Sequence, residues 1–294
     1  MDALTSKEIL DRHRLTVEAA LHDLLPSGPE SVRVIDEAAR YSLFAGGKRL
    51  RPSLLLATCE ALGGDVANAL PAACAIEMIH TYSLIHDDLP AMDDDELRRG
   101  NLTCHVKFGE AMAVLAGDLL ATTAFEVIAA HTPNQSMVSS LVLELTRAAG
   151  CRGMIGGQVL DLLSENAEPE ISRVRDIHRM KTGALLAASV RLGGIAAGCT
   201  DEHLDRVTQY GEAIGLAFQI VDDILDVESD AATLGKTVGK DREQAKMTFP
   251  ACIGLDQSRA EADALVAEAV ALIAPLDTKG DLVRLADFIV TRLN

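Results

Sequence analysis

Apolar residues recur at three- and four-residue intervals along most of this chain, as in IEMIHTYSLIHDD (76–88), LVLELTRAAGCRGMIGGQVLDLL (141–163) and LDRVTQYGEAIGLAFQIVDDILDV (204–227). That spacing puts one apolar stripe on a helix and cannot serve a strand, whose faces alternate every second residue. No series of short alternating β-branched runs accompanies it. Trp is absent and aromatics make up only 3%. The sequence therefore predicts an all-α protein. Breaks at Pro26 to Pro29, Gly46-Gly47, Gly63-Gly64, Pro71, Pro90, Gly100, Pro133, Pro169, Gly198 and Gly235 to Gly239 divide it into about ten helices, with a longer polar loop after Asp226. No composition shift or linker interrupts the pattern, so residues 1–294 are expected to form a single large helical bundle.

Acidic residues outnumber basic ones, 44 to 27, for a net charge of −17. A field of that sign argues against a nucleic-acid partner or an anionic membrane surface. The start, MDALTSKEILDRHR, lacks the apolar core of a secretory signal. The most apolar long stretch, AMAVLAGDLLATTAFEVIAA, carries Asp118 and Glu126 and reads as a buried helix, with no stable membrane insertion. Six cysteines with no CxxC spacing read as reduced, mostly buried thiols, so a cytoplasmic location is expected.

Charge is segregated along the chain. No Lys or Arg lies between Arg51 and Arg98, yet that span holds Asp87, Asp88, Asp93, Asp94, Asp95 and Glu96 among its acids. The pattern recurs between Arg206 and Lys236, around Asp222, Asp223 and Asp226. Asp222 and Asp226 are one helical turn apart on the apolar segment AFQIVDDILDV. Two like charges about 4 Å apart repel by ~4 kcal/mol at an effective dielectric near 20. A proton, a distant basic group or a cation must offset that repulsion, and oxygen-only ligands favour Mg²⁺ before Ca²⁺. Asp87 and Asp93 do not share an ideal helix face, but Pro90 can end or bend the helix and let Asp93 turn back. Asp88 is a candidate ligand or a supporting residue behind them. The bases cluster beside glycines, in GGKRLRP (Lys48, Arg49, Arg51), ELRRG (Arg98, Arg99), RMKTG (Arg179, Lys181) and LGKTVGKD (Lys236, Lys240). Gly beside Lys or Arg lets backbone and side chain approach an anion together. No GxxxxGK[ST] loop is present, which argues against a nucleotide-hydrolysing fold. Acidic helices facing basic loops suit a diphosphate held through bridging Mg²⁺.

These motifs, in the order GGKRLRP, IHDDLPAMDDDELRRG, GGQVLDL, KTG, FQIVDDILD and GKTVGKD, resemble those of the trans-isoprenyl diphosphate synthases, and among them most closely the bacterial farnesyl diphosphate synthases. The resemblance covers essentially the whole chain. It implies a bundle of isoprenoid-synthase type around a central cavity, and usually a homodimer. It implies that Lys48, Arg51, His80 and Arg99 hold the diphosphate of isopentenyl diphosphate, and that Arg98, Lys181 and Lys236 hold an allylic diphosphate. Asp87 and Asp93, with Asp88, would bind two Mg²⁺; Asp222, with Asp226, would bind a third. Thr182 and Gln219 would turn their dipoles to an allylic cation formed when the carbon–oxygen bond breaks, and the released diphosphate would take the final proton.

Within the family, residues four and five before the first aspartate motif help form the floor of the product pocket; here they are Ser83 and Tyr82. Five residues span about 7.5 Å of helix, so the Tyr82 ring is expected to stop the chain at fifteen carbons. Geranylgeranyl or geranyl diphosphate synthesis is the alternative product assignment. A terpene cyclase would share the helices and one aspartate motif but not the second anion site. A ferritin-like carboxylate protein would need two Glu-x-x-His pairs, and EMIH (Glu77, His80) supplies one.

Overall fold

Capping and burial set the helix ends and order. In the computed structural model, which describes residues 4–165, 167–234 and 247–291, the first helix, α1 (Ser6–Leu24), starts at a capping box. There the Glu8 amide donates to the Thr5 hydroxyl, and the Thr5 amide donates to the Glu8 carboxylate. Next come α2 (Arg33–Leu43), α3 (Leu50–Ala61) and α4 (Val66–Asp87), the last capped by Asp65, whose carboxylate accepts from the Ala67 amide at 2.9 Å. A short antiparallel pair, β1 (Leu97–Arg98) and β2 (Asn101–Leu102), precedes α5 (Cys104–Phe108), α6 (Glu110–His131), α7 (Val138–Ala149) and α8 (Met154–Leu162). α9 (Ile171–His178) runs through a π-helical turn, Arg179–Gly183, directly into α10 (Ala184–Ala197). α11 (Asp201–Leu234), α12 (Phe249–Ile253), α13 (Leu255–Ile273) and α14 (Asp281–Val290) complete the chain.

α10 is apolar nearly all round, and such a helix must be buried. It packs on α3, α4, α7 and α11. One apolar cluster gathers α2, α4, α6 and α7, while another gathers α1, α11, α13 and α14. α1, α3 and α10 serve both: Val17, Leu55 and Leu185 face one cluster, Ile9, Leu54 and Leu186 the other. The chain ends are joined by charge, since Arg12 donates to Glu60 at 2.9 Å and to Asp281 at 3.1 Å. Cys59, Cys74 and Cys104 are buried, Cys199 and Cys252 half-buried, and Cys151 exposed, all unpaired.

The all-α expectation holds, with three local differences. Pro71 does not break the chain but lies inside α4. A proline there costs about 3 kcal/mol, and α4 buries enough around it (Ala69, Ala72, Ala73, Cys74, Ile76, Met78 and Ile79) to offset that. The helix expected to end near Asp226 continues to Leu234. The LRRGNL segment, read as a break, forms a β-hairpin. α6 is long and apolar enough to span a membrane, but it packs on α2, α4, α5 and α7, with 44% of its most apolar window buried.

Candidate active site

A cavity of about 1100 Å³ opens between α3, α4, α8, α10, α11 and α14. Its wall includes Lys48, Arg51, His80, Tyr82, Ser83, Asp87, Arg98, Arg99, Lys181, Thr182, Gln219 and Asp222. Groups from GGKRLRP, IHDDLPAMDDDELRRG, KTG and FQIVDDILD thus meet around one space. Lys236 lies outside the described residues, as does Lys240.

Backbone geometry explains how the two neighbouring arginines diverge. Arg99 and Gly100 occupy the two central positions of the hairpin turn with φ of +54° and +78°, the pairing of a type I′ turn. Arg98, the last residue of β1, reaches Asp88, with its Nε and a terminal nitrogen 2.7 and 2.6 Å from one carboxylate oxygen. Arg99 turns the other way and donates to the Gly46 carbonyl. Gly47, at φ +130°, leaves room for that guanidinium, which any Cβ there would strike. Arg49 is also left-handed, at φ +50°. Its side chain is buried and does not serve as an anion ligand: it donates to Glu77 at 2.7 Å and to the Leu43 carbonyl at 2.6 Å. Together with Asp94, at φ +54°, these are the non-glycine residues of positive φ among those described. Each costs of order 1–3 kcal/mol, and such strain concentrates where function fixes the backbone.

The positive wall is poised for an anion. Burial pulls the Arg51 guanidinium below its ordinary value, with Glu77 and Asp222 opposing and Arg99 adding to the shift. Its Nε has no hydrogen-bond partner among the described residues, a cost that an incoming anion relieves. Burial first, then Arg51, Arg99, Arg49 and Arg98, holds His80 well below the ordinary imidazole range, so it is neutral at pH 7. Lys48 lies 4.9 Å from the Phe288 ring centre on α14.

On the acidic wall, the loop after Pro90 does return: the Asp93 amide donates to the Asp87 carbonyl at 2.9 Å. Burial raises Asp87 to about 6, with Asp93 and Asp88 adding to it and Lys181 and Arg98 opposing. A cation would restore its ionised form. Among the described residues no three His, Cys, Asp or Glu side chains converge on one point. The donors are nonetheless all carboxylate oxygens, and Mg²⁺ takes one or two carboxylates together with substrate phosphates and water. The residues present therefore fit Mg²⁺.

Three of the expected ligands do not line the cavity wall. Asp88 is buried off the cavity wall and bound to Arg98, so it holds an arginine in place of a metal. Asp93 and Asp226 are exposed and outside the wall, although Asp226 follows Asp222 by one turn as expected. Asp223, beside Asp222, points inward. It accepts from the Phe249 amide at 2.9 Å and pairs with His178 Nε2 at 2.8 Å, tying α9, α11 and α12 together.

The π-helical turn carries Lys181 and Thr182 to the cavity. Such turns insert one extra residue and are frequent at functional sites. Lys181 Nζ donates to Asp161 at 2.6 Å. Burial would depress the Lys181 ammonium, but Asp161, Asp87 and Asp93 outweigh it and raise its pKa. Gln158, Val159, Asp161 and Leu162 belong to GGQVLDL, to which the sequence assigns no individual role, and Met154, Ile155 and Phe288 fall in no motif. Positions 154, 155, 158, 159 and 162 share one helical face, a signal the sequence does carry.

The polyprenyl synthetase family model matches residues 32–278. The chain is 47% identical to the dimethylallyltranstransferase of Fischerella ambigua (strain UTEX 1903), over 97% of this chain and 83% of that protein. It is 46% identical to the geranylgeranyl diphosphate synthase of Cyanophora paradoxa, over 95% and 93%. The apo crystal structure of an FPP/GFPP synthase from Zymomonas mobilis superposes with a TM-score of 0.87 at 36% identity, covering 97% of this chain and 98% of that one.

Proposed function

This chain belongs to the polyprenyl synthetase family and is a prenyltransferase with the all-α fold of its relatives, and we propose that it condenses isopentenyl diphosphate with dimethylallyl and geranyl diphosphate to give farnesyl diphosphate. The observation that carries the product assignment is Tyr82, whose ring lines the cavity one helical turn before the metal-facing end of α4.

Arg98 and Lys181, with Lys236, hold the allylic diphosphate. Lys48, Arg51, His80 and Arg99 hold the homoallylic one. Asp87 and Asp93 in one bank and Asp222 in the other would hold Mg²⁺, three ions in the full complex, which when bound neutralises charge on the departing diphosphate. Fixed positive groups aimed at charge that develops in the transition state lower the barrier without reorganising. Thr182 and Gln219 turn dipoles towards the allylic cation. The second anion site sets the isopentenyl double bond against that cation. The α8 face, Leu185 and Phe218 keep water away from it. The departing diphosphate accepts the proton, so no side-chain base is needed.

A twenty-carbon product is the second reading, favoured by the likeness to the Cyanophora geranylgeranyl diphosphate synthase. Incubation with Mg²⁺, geranyl diphosphate and isopentenyl diphosphate, followed by chain-length separation, decides between them. A fifteen-carbon end product supports farnesyl synthesis, and a twenty-carbon one replaces it. Release of pyrophosphate without isopentenyl diphosphate would point to a cyclase. The chain is further proposed to act as a cytoplasmic homodimer. Exposed Val106, Leu115 and Leu143 on three successive helices, α5 to α7, support the pairing, and light scattering of the purified protein measures it.

A further inference from the structure

We propose that His86 is a specificity-determining residue, which braces the Tyr82 ring edge to face and thereby fixes how far a growing prenyl chain extends. The inference rests on the farnesyl reading above.

His86 follows Tyr82 by one turn of α4, and helical side chains lean towards the N-terminus, so its imidazole lies over the Tyr82 turn. The two rings meet edge to face, with centroids 5.7 Å apart at 74°. His86 Nε2 donates to the Val114 carbonyl of α6 at 3.1 Å, which fixes the ring's orientation. One turn further along α6 is Gly117. A Cβ there would lie 2.6 Å from His86 Cδ2 and closer still to Nε2, so the imidazole occupies the space a side chain would take. Tyr82, His86 and Val114 all line the cavity, whereas Gly117 does not. The floor is therefore layered: the Tyr82 ring, the His86 ring, and the α6 backbone exposed by a missing side chain. The Tyr82 ring also packs on the apolar cluster of α4 and α6, and the His86 ring adds the contact that fixes its position at the cavity wall.

The test uses the full chain with Mg²⁺, geranyl diphosphate and isopentenyl diphosphate, the products being separated by length. His86→Ala, and His86→Gln, which keeps a donor for Val114 but loses the ring, are expected to make a product at least one isoprene unit longer than wild type. Gly117→Ala displaces the same ring from outside the cavity and is expected to move the product distribution in the wild-type background. It is expected to add nothing in a His86→Ala background, because it acts through that ring. If His86→Ala fails to fold, His86→Gln and Gly117→Ala carry the test. A folded, active His86→Gln that stops at the wild-type length overturns the proposal, as does a Gly117→Ala effect that persists without His86. A wild type that itself ends at twenty carbons overturns the farnesyl reading; the His86 variants are still judged by whether they pass that length.

Discussion

Arg98 and Arg99 are adjacent in sequence and line one cavity wall, yet they are fastened to different segments, Arg98 to Asp88 in the first aspartate motif and Arg99 to the Gly46 carbonyl of GGKRLRP. Their divergence predicts a split in kinetics. Arg98→Ala is expected to raise KM for the allylic diphosphate, and Arg99→Ala KM for isopentenyl diphosphate, each by about 10–100-fold with the other KM changed far less. Steady-state kinetics with one substrate varied at a time measures both. Equal effects of the two substitutions on both substrates would contradict the assignment.

His80 is held neutral by burial and the surrounding arginines, so under the proposed assignment it would bind isopentenyl diphosphate by a donated hydrogen bond. His80→Gln, which can still donate, is expected to keep KM for isopentenyl diphosphate within a few-fold of wild type. His80→Ala is expected to raise it about 10-fold or more. The same neutrality predicts that binding of isopentenyl diphosphate to the free protein shows no inflection near pH 6.5 removed by His80→Gln. Calorimetric titration across pH 5.5–8 reads it.

Asp87 couples pH to stability. Its folded pKa of about 6 lies above the ordinary 3.8, so the folded protein holds a proton there more tightly than the unfolded chain. The stabilisation is present below the ordinary value and is lost as pH rises through about 6, up to about 3 kcal/mol in all. Metal-free protein is therefore expected to lose Tm between pH 4.5 and 7 more steeply than Asp87→Asn does. Scanning calorimetry of the two proteins compares the slopes, and parallel curves would rule out Asp87 as the source.

Tyr82→Ala is expected to lengthen the product beyond fifteen carbons, since it removes the upper layer of the floor. Chromatography of the product from geranyl and isopentenyl diphosphate is the readout. An active variant that still ends at fifteen carbons would show that another side chain forms the stop.

The helical class and the groups around the cavity were legible from local signals: a three-to-four residue period and motifs in which charge and glycine coincide. What stayed hidden depends on contacts between distant segments. The buried Arg98–Asp88 pair takes Asp88 off the cavity wall, the supporting place that the sequence already allowed it, but nothing in HDDLPAMDDDE names Arg98 as its partner. Phe288 reaches the cavity from α14, far along the chain from every motif. Pro71 read as a break because local propensity cannot count the apolar surface buried around it. The inward turn of Asp223 depends on His178 and Phe249, one on each side of it in sequence. The space at Gly117 is visible only once α4 and α6 are packed together.

The π-helical turn at Arg179–Gly183 has a further consequence. One added residue rotates everything after it by about 100° relative to an uninterrupted α-helix. A helical wheel drawn continuously from Ile171 to Ala197 therefore misassigns the faces on one side of the turn. α9 and α10 are two rulers joined out of phase, and the join falls where Lys181 and Thr182 meet the cavity.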